Sequence, residues 1–313
     1  MAYDIIGDIH GQHTKLVKLL SHLGYSESDN VWKHPTHKAI FVGDLIDSAN
    51  SDENISHVKT VNIVKNMVEN DSAFCILGNH EFNAIAWFTP DPENEHAFLR
   101  LHNESNRRQH QVFLNEVEGK SIHADIIEWF KSLPVWLELP EGIRVIHAAW
   151  VEDYQKILRP YLNENNTLTE ELIIRASRKG SPEYEAIEGL CKGLETKLPD
   201  NASFSDKHGN IRQHVRIPWW HKKEYGTYKE EALVPHSAKQ YIPDIKMNRD
   251  LRVKPYNDLP VFIGHYWFTG IPNILTDKIA CVDYSAGENG ALVAYRWQGE
   301  QILTNSGFKT SFL

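Results

Sequence analysis

Tyr3-Asp4-Ile5-Ile6-Gly7-Asp8-Ile9-His10-Gly11 is the stretch on which the fold turns. Residues 3–6 form a short apolar run that reads as a buried strand. Gly7 ends it, and a carboxylate and an imidazole follow two positions apart. Residues two apart on extended backbone share a side, so Asp8 and His10 can face one ion just beyond the strand. Gly7 and Gly11 permit the tight turns this needs. Taken alone, the same polar turn serves equally well as the cap of the next helix.

The pattern then repeats. Leu16, Leu19, Leu20 and Leu23 predict a helix over 12–23, with Gly24 as its stop. A strand at 38–42 ends in Gly43-Asp44-Leu45-Ile46-Asp47. A helix carrying Val58, Val61, Val64 and Val68 leads to a strand at 73–77, which ends in Gly78-Asn79-His80-Glu81. From Asp8 to Asp44 is 36 positions and from Asp44 to Asn79 is 35, the length of strand–helix–strand units. Such alternation predicts an α/β fold with a largely parallel sheet, whose ligands bind beyond the carboxyl ends of the strands.

Two later strands fit the same plan. Residues 143–146 end at His147, and residues 261–263 end in Gly264-His265. A lone Asp or Asn after a strand is usually a turn residue. Five strand ends carrying Asp8 and His10, Asp44, Asn79, His147 and His265 point instead to one shared ligand. Carboxylate, imidazole and amide donors without thiolate suit Mn, Fe, Co, Ni or Zn in a reactive site rather than a structural zinc.

Composition narrows the partners. The 313 residues are 41% hydrophobic and 24% charged, ordinary for a globular chain. A net charge of −9 argues against a broad nucleic-acid surface, so an anionic substrate needs local positive charge such as bound metal. Cys75, Cys191 and Cys281 form no CxxC pair, and Cys75 and Cys281 read as core thiols. No apolar run approaches the ~18 residues of a membrane span. The fold starts at Tyr3, which leaves no room for a signal peptide, so the expected location is cytoplasmic.

The remaining chain frames this core. Residues 88–110, with Pro90, Pro92, Arg100, Arg107 and Arg108, read as a long loop entering a helix, and 123–132 as a further helix. Residues 150–257 are polar, with helical patches at 169–179 and 183–197 and an aromatic, basic run at Trp219, Trp220, His221, Lys222, Lys223, Tyr225 and Tyr228. They read as a cap-like insertion within a single domain of residues 1–313. Strands are predicted at 279–282, 291–297 and 302–304.

These motifs, in this order, resemble the calcineurin-like metallophosphoesterases. The nearest likeness is to the phosphoprotein phosphatases and the symmetrical diadenosine tetraphosphate hydrolases. The likeness covers the first ~150 residues and again about 260–300. It implies an α/β/β/α sandwich of two mixed sheets flanked by helices. It also implies two divalent metal ions, Mn foremost: Asp8 and His10 bind the first, Asp44 bridges both, and Asn79, His147 and His265 complete the second. It makes His80 the general acid, oriented by Asp47, and leaves Glu81 structural. A cation pair sharing a carboxylate acidifies a bridging water, and the hydroxide attacks phosphorus in line. The implied function is hydrolysis of phosphate monoesters, including phosphoserine or phosphothreonine. The alternative is hydrolysis of dinucleoside polyphosphates, and a metal-free scaffold is the third reading. The implied substrates are a phosphorylated small molecule, a nucleotide or a phosphoprotein.

Two departures concern the substrate. The second motif in these families continues with Arg-Gly after its second aspartate, and that arginine clamps phosphate in bidentate fashion. Here Ser48-Ala49-Asn50 follows Asp47. The fourth motif reads His147-Ala148-Ala149-Trp150 in place of His-Gly-Gly or His-Ala-Gly. A substitute cation could come from Arg100, Arg107, Arg108 or the Lys222-Lys223 pair. Trp219 and Trp220 either stack an aromatic substrate group or pack the insertion.

Overall fold

The computed structural model describes residues 2–48, 54–199, 202–205, 209, 211–220, 226–247 and 256–311. Contacts divide the chain into two compact units: one of residues 1–191 and 259–313, the other of residues 192–258.

Among the described residues the first unit holds a five-stranded and a four-stranded sheet. Numbered along the chain, their strands are β1 (Ala2–Ile6), β2 (His37–Phe41), β3 (Ala73–Cys75), β4 (Trp136–Leu139) and β5 (Ile143–Ile146). Then come β6 (Val261–Ile263), β7 (Ile279–Cys281), β8 (Val293–Trp297) and β9 (Phe308–Thr310). The first sheet runs β9-β8-β1-β2-β3 and the second β7-β6-β5-β4. Both are mixed. β1, β2 and β3 are parallel, with Ile5 opposite Ile40 and Ile40 opposite Phe74, whereas β8 runs antiparallel to β1. β5, β6 and β7 are parallel and β4 is antiparallel to β5.

Strand periodicity explains the join. Tyr3 and Ile5, Ile143 and Val145, and Tyr295 and Trp297 alternate along their strands. With Ile40, Val42, Phe262, Ala280 and Val282 they form one core drawn from both sheets. Helices cover the outside. α1 (His13–Leu23) buries Leu16, Leu19, Leu20 and Leu23, and it ends at Gly24 in the left-handed region, φ 94°. Each buried leucine is worth about 1.5–3 kcal/mol, so Leu20→Ala should cost about 2–5 kcal/mol. α2 (His57–Glu69) is capped by the Ser56 hydroxyl and buries Val61, Val64 and Met67. α3 (Asn79–Phe88), α4 (Glu104–Val117) and α5 (Ser121–Lys131) follow. The structure is thus an α/β fold of two mixed sheets flanked by helices.

The two mixed sheets flanked by helices are those the resemblance implies, whereas strand–helix alternation alone predicts only a largely parallel sheet. Asp8, Asp44 and Asn79 follow strands of one sheet, and His147 and His265 follow strands of the other. Alternation sees the three strands before Asn79 but not the partner sheet. The strand expected at 302–304 is absent. Leu303 is buried as an alternating pattern requires, but its N–H goes to Asp277 O (2.8 Å) and the N–H of Thr304 to Tyr295 Oη (3.0 Å). The edge strand is β9 instead. The helical patch at 183–197 stops at Lys192, because Gly193 turns at φ 81°. Residues 194–197 then pair antiparallel with His214–Ile217.

The second unit has its own small core, including Leu198, Val215, Ile217, Tyr228, Ile242 and Met247. Trp219 and Trp220 are buried and meet edge to face, with ring centroids 6.1 Å apart. Lys222, Lys223 and Tyr225 lie outside the described residues. Of the residues expected in an insertion, 150–191 belong to the first unit. All three cysteines are free and buried. Among the described residues no helix is long and apolar enough to cross a membrane.

Candidate metal centre

Asp44 is the hub. Its loop leaves β2 through Gly43, and Asp44 itself takes a left-handed φ of 51°. A non-glycine residue pays for such a backbone, about 1–3 kcal/mol, unless its surroundings hold it there. Here they do. The N–H groups of Asp44 and Leu45 donate to Glu81 Oε2 and Oε1, each at 2.8 Å, and Gly78 N–H donates to Oε2 at 3.0 Å. Ile9 and His10 N–H groups donate to the Asp44 carbonyl at 3.0 and 2.9 Å. Glu81 therefore ties the second motif to the third and caps α3 in one contact. His10, Asp47 and His265 also sit at positive φ, 49°, 67° and 71°.

Two glycines let the loops close on each other. A Cβ at Gly78 would collide with Asp44 Oδ1 and its backbone N, and one at Gly264 with Asp8 Oδ1. Neither loop could carry a larger residue there without moving a candidate donor.

Around Asp44 the donors fall into two groups. His10, Asp44 and His80 offer atoms within 4.8 Å of one another, and so do Asp44, His147 and His265. Asp44 Oδ2 lies 3.2 Å from His147 Nε2 and 3.9 Å from the Nε2 atoms of His10 and His80. Asn79 Oδ1 is 3.1 Å from His147 Nε2. The far nitrogens are anchored: His10 Nδ1 on the Ile46 carbonyl at 2.8 Å, His147 Nδ1 on the Val42 carbonyl at 2.6 Å. Backbone anchoring of the far nitrogen presents Nε2 as the available donor.

Asp8 is buried beside this cluster. Its Oδ2 accepts the His265 N–H at 2.9 Å, while Oδ1 has no hydrogen-bond partner among the described residues. Burial and the nearby charges of Asp283 and Asp44 push its carboxyl well above the usual range. An orphaned buried carboxylate oxygen and crowded carboxylates are what a bound cation would relieve. On that observation the donor set fits divalent cations.

On the other side, His80 Nδ1 meets Asp47 Oδ2 at 2.7 Å, and His80 N–H donates to Asp44 Oδ1 at 3.0 Å. Burial opposes charge on this imidazole. Asp44, then Asp47, outweigh it and raise its pKa to about 9. Asp47 is itself held by His110 Nδ1, at 2.6 and 2.7 Å from its two oxygens. Burial would raise the Asp47 carboxyl, but His110 and His80 hold it well below the usual range.

Of the expected residues, the structure groups His10, Asp44, His80, His147 and His265 around one carboxylate, sets Asn79 against His147, Asp47 on His80 and Asp8 against the backbone of His265, and it adds two. His110 lies inside α4, where no local pattern marks it. Asp283 accepts the Trp267 N–H at 2.6 Å and the Ser285 N–H at 3.0 Å, and so positions the loop bearing His265. Burial, offset in part by those two bonds, lifts its pKa to about 6. Asp283 did have a signal, since it ends a predicted strand as Asp8 and Asp44 do. Ser48 is buried, and its N–H donates to His57 Nε2 at 3.1 Å.

A model of the calcineurin-like phosphoesterase family matches residues 1–198, and the chain belongs to that family of hydrolases. It is 30% identical over 156 residues to a bis(5'-nucleosyl)-tetraphosphatase PrpE, asymmetrical, of Geobacillus sp. (strain WCH70), covering 49% of this chain and 60% of that protein. The match thus spans little more than half of that relative. A symmetrical bis(5'-nucleosyl)-tetraphosphatase of Vibrio vulnificus (strain YJ016) is 22% identical, over 99% of this chain and 100% of that protein. Among solved structures, a Saccharomyces cerevisiae protein serine/threonine phosphatase similar to human phosphatase PP5 aligns with a TM-score of 0.45 and 14% identity, over 99% of this chain and 79% of that one.

Proposed function

We propose that this protein is a dinuclear metal-dependent phosphoesterase that hydrolyses phosphate monoesters, among them phosphoserine and phosphothreonine. The observation that carries this reading is the position of Asp44, whose carboxylate faces His10 on one side and His147 and His265 on the other, since two neighbouring cations need a shared anionic ligand. Asp8 and His10 would hold one ion, and Asn79, His147 and His265 the other, with Asp44 between them. When bound, such a pair, Mn foremost and Fe, Zn, Ni or Co otherwise, lowers the pKa of water and offsets charge on phosphoryl oxygens.

The chain's own residues supply the proton. With Nδ1 on Asp47, His80 presents Nε2 towards Asp44, 3.9 Å away. A pKa of about 9 keeps the imidazole protonated at neutral pH, ready to donate to the leaving oxygen. Asp47 orients the ring and sustains its charge, and His110 orients Asp47.

The names of the relatives favour a second reading, hydrolysis of a dinucleoside tetraphosphate. Steady-state rates on a phosphopeptide and on diadenosine tetraphosphate, with manganese-loaded protein, separate the two. Failure to turn over either substrate or p-nitrophenyl phosphate would reject the hydrolase reading itself.

A further inference from the structure

The chain lacks the arginine expected after Asp47, and the structure treats the possible substitutes differently. Arg107 is bidentate on Glu118, at 3.1 and 2.5 Å, and Arg108 pairs with Glu104 at 3.0 Å. Their charge is already matched by carboxylates. Arg100 is held another way. Its Nη1 donates to Asn83 Oδ1 at 2.7 Å and its Nη2 to Gln109 Oε1 at 2.8 Å. Among the described residues no carboxylate hydrogen-bonds it.

Position makes this informative. Asn83 stands one turn after Asn79 and His80 on α3. Gln109 immediately precedes His110, which grips Asp47. Two neutral amides thus clasp a half-buried guanidinium between the two elements that frame the His80 side of the centre. Asp47 and, less strongly, Glu188 are close enough for their charges to act on Arg100. Amide oxygens orient a guanidinium without neutralising it, and only two of its five N–H groups are used by them. A merely structural arginine would be better served by a carboxylate, as Arg107 and Arg108 are.

We propose that Arg100 is an anion-binding residue of this site, contacting a non-bridging phosphoryl oxygen of the substrate in place of the arginine missing at position 48. This rests on the phosphoesterase reading above. Arg100 adds a charge-assisted hydrogen bond and reaches the site from the loop before α4 rather than from the loop after β2.

The probe is inorganic phosphate, titrated calorimetrically into manganese-loaded protein, alongside KM and kcat for p-nitrophenyl phosphate. Arg100→Gln should weaken phosphate about ten- to a hundredfold and raise KM, with manganese content unchanged. Arg100→Lys, which keeps the charge and loses the fork, should fall between that variant and wild type. Gln109→Glu leaves Arg100 in place but gives it a carboxylate. It should hold or raise the melting temperature and still weaken phosphate, which a structural role does not predict. If Arg100→Gln fails to fold, Gln109→Glu carries the test. Wild-type phosphate affinity in Gln109→Glu, or in folded Arg100→Gln, would overturn the proposal, as would wild-type protein that binds no phosphate. The two readings can fail separately. No turnover by the wild type with Arg100-dependent phosphate binding sinks only the hydrolase reading. Normal turnover and unchanged phosphate binding in the variants sinks only this one.

Discussion

The two sides of the Asp44 carboxylate use similar residues under different access. On one side His147 and His265 are 0% and 2% exposed, with ring centroids 5.2 Å apart. On the other, His10 is 8% exposed and the side chain of His80 keeps 14% of its surface in contact with solvent. Their rings also meet edge to face, at 5.0 Å. Side-chain type does not separate the two sides, but exposure does. A closed group can hold an ion and exchange little else. An open group can also receive a substrate and pass a proton to it. On the proposed reading the first side is a socket and the second a working face.

The hub should fail hardest. Asp44→Asn removes the shared charge from both groups, and turnover should fall about a thousandfold or more, the rate equivalent of several kcal/mol. Elemental analysis should show both ions lost, and near-normal activity would remove the basis for a bridging carboxylate. His265→Ala comes next and tests the socket alone. It should lower metal content and slow every substrate by the same factor. A substrate-selective loss would blur the distinction between the two sides. His80→Asn tests the working face. Alkyl phosphates, whose leaving oxygen needs a proton, should slow about 10²–10⁴-fold, and p-nitrophenyl phosphate far less. Equal losses on both would count against the acid role.

What was legible in the sequence divides by the same geometry. Asp8, His10, Asp44, Asn79, His147 and His265 all follow strands, where a polar residue breaking an apolar run is visible in one dimension. The parts away from the strand ends were less visible. His110 is one polar residue among many on α4, and its role exists only because α4 folds back onto Asp47. Arg100 looked no different from Arg107 and Arg108 until its acceptors were seen to be amides. The split into two sheets was invisible to alternation because β4 and β5 enter as a hairpin with no helix between them. Glu81 was read as structural, and it is the clasp between two loops.

Proton linkage sharpens the comparison without turnover. Asp44 and Asp47 raise the His80 pKa from 6.5 to about 9 against the cost of burial. The stability this imidazolium contributes is fully present below pH 6.5 and is lost as pH rises through about 9. In metal-stripped protein, the melting temperature should therefore fall more between those limits for wild type than for His80→Asn. Parallel curves would show that the pairing with Asp44 and Asp47 does not stabilise the charged ring.

The smallest effect belongs to His110, which is buried and touches the reaction only through Asp47. Its loss leaves Asp47 bonded to His80 but free to rotate, so His80 is aimed less well and its charge less supported. Residues that orient a ligand or catalytic group commonly cost about 10–100-fold when removed. His110→Gln should lie near the lower end, because an amide N–H can still reach the carboxylate. The loss should appear on alkyl phosphates and not on p-nitrophenyl phosphate, and metal content should not change. Combining it with Asp47→Asn decides the route of action: the double variant should be no slower than Asp47→Asn alone, since His110 has nothing left to orient. Fully additive losses would mean that His110 acts through some other contact, and the working face would then extend beyond the His80–Asp47 pair.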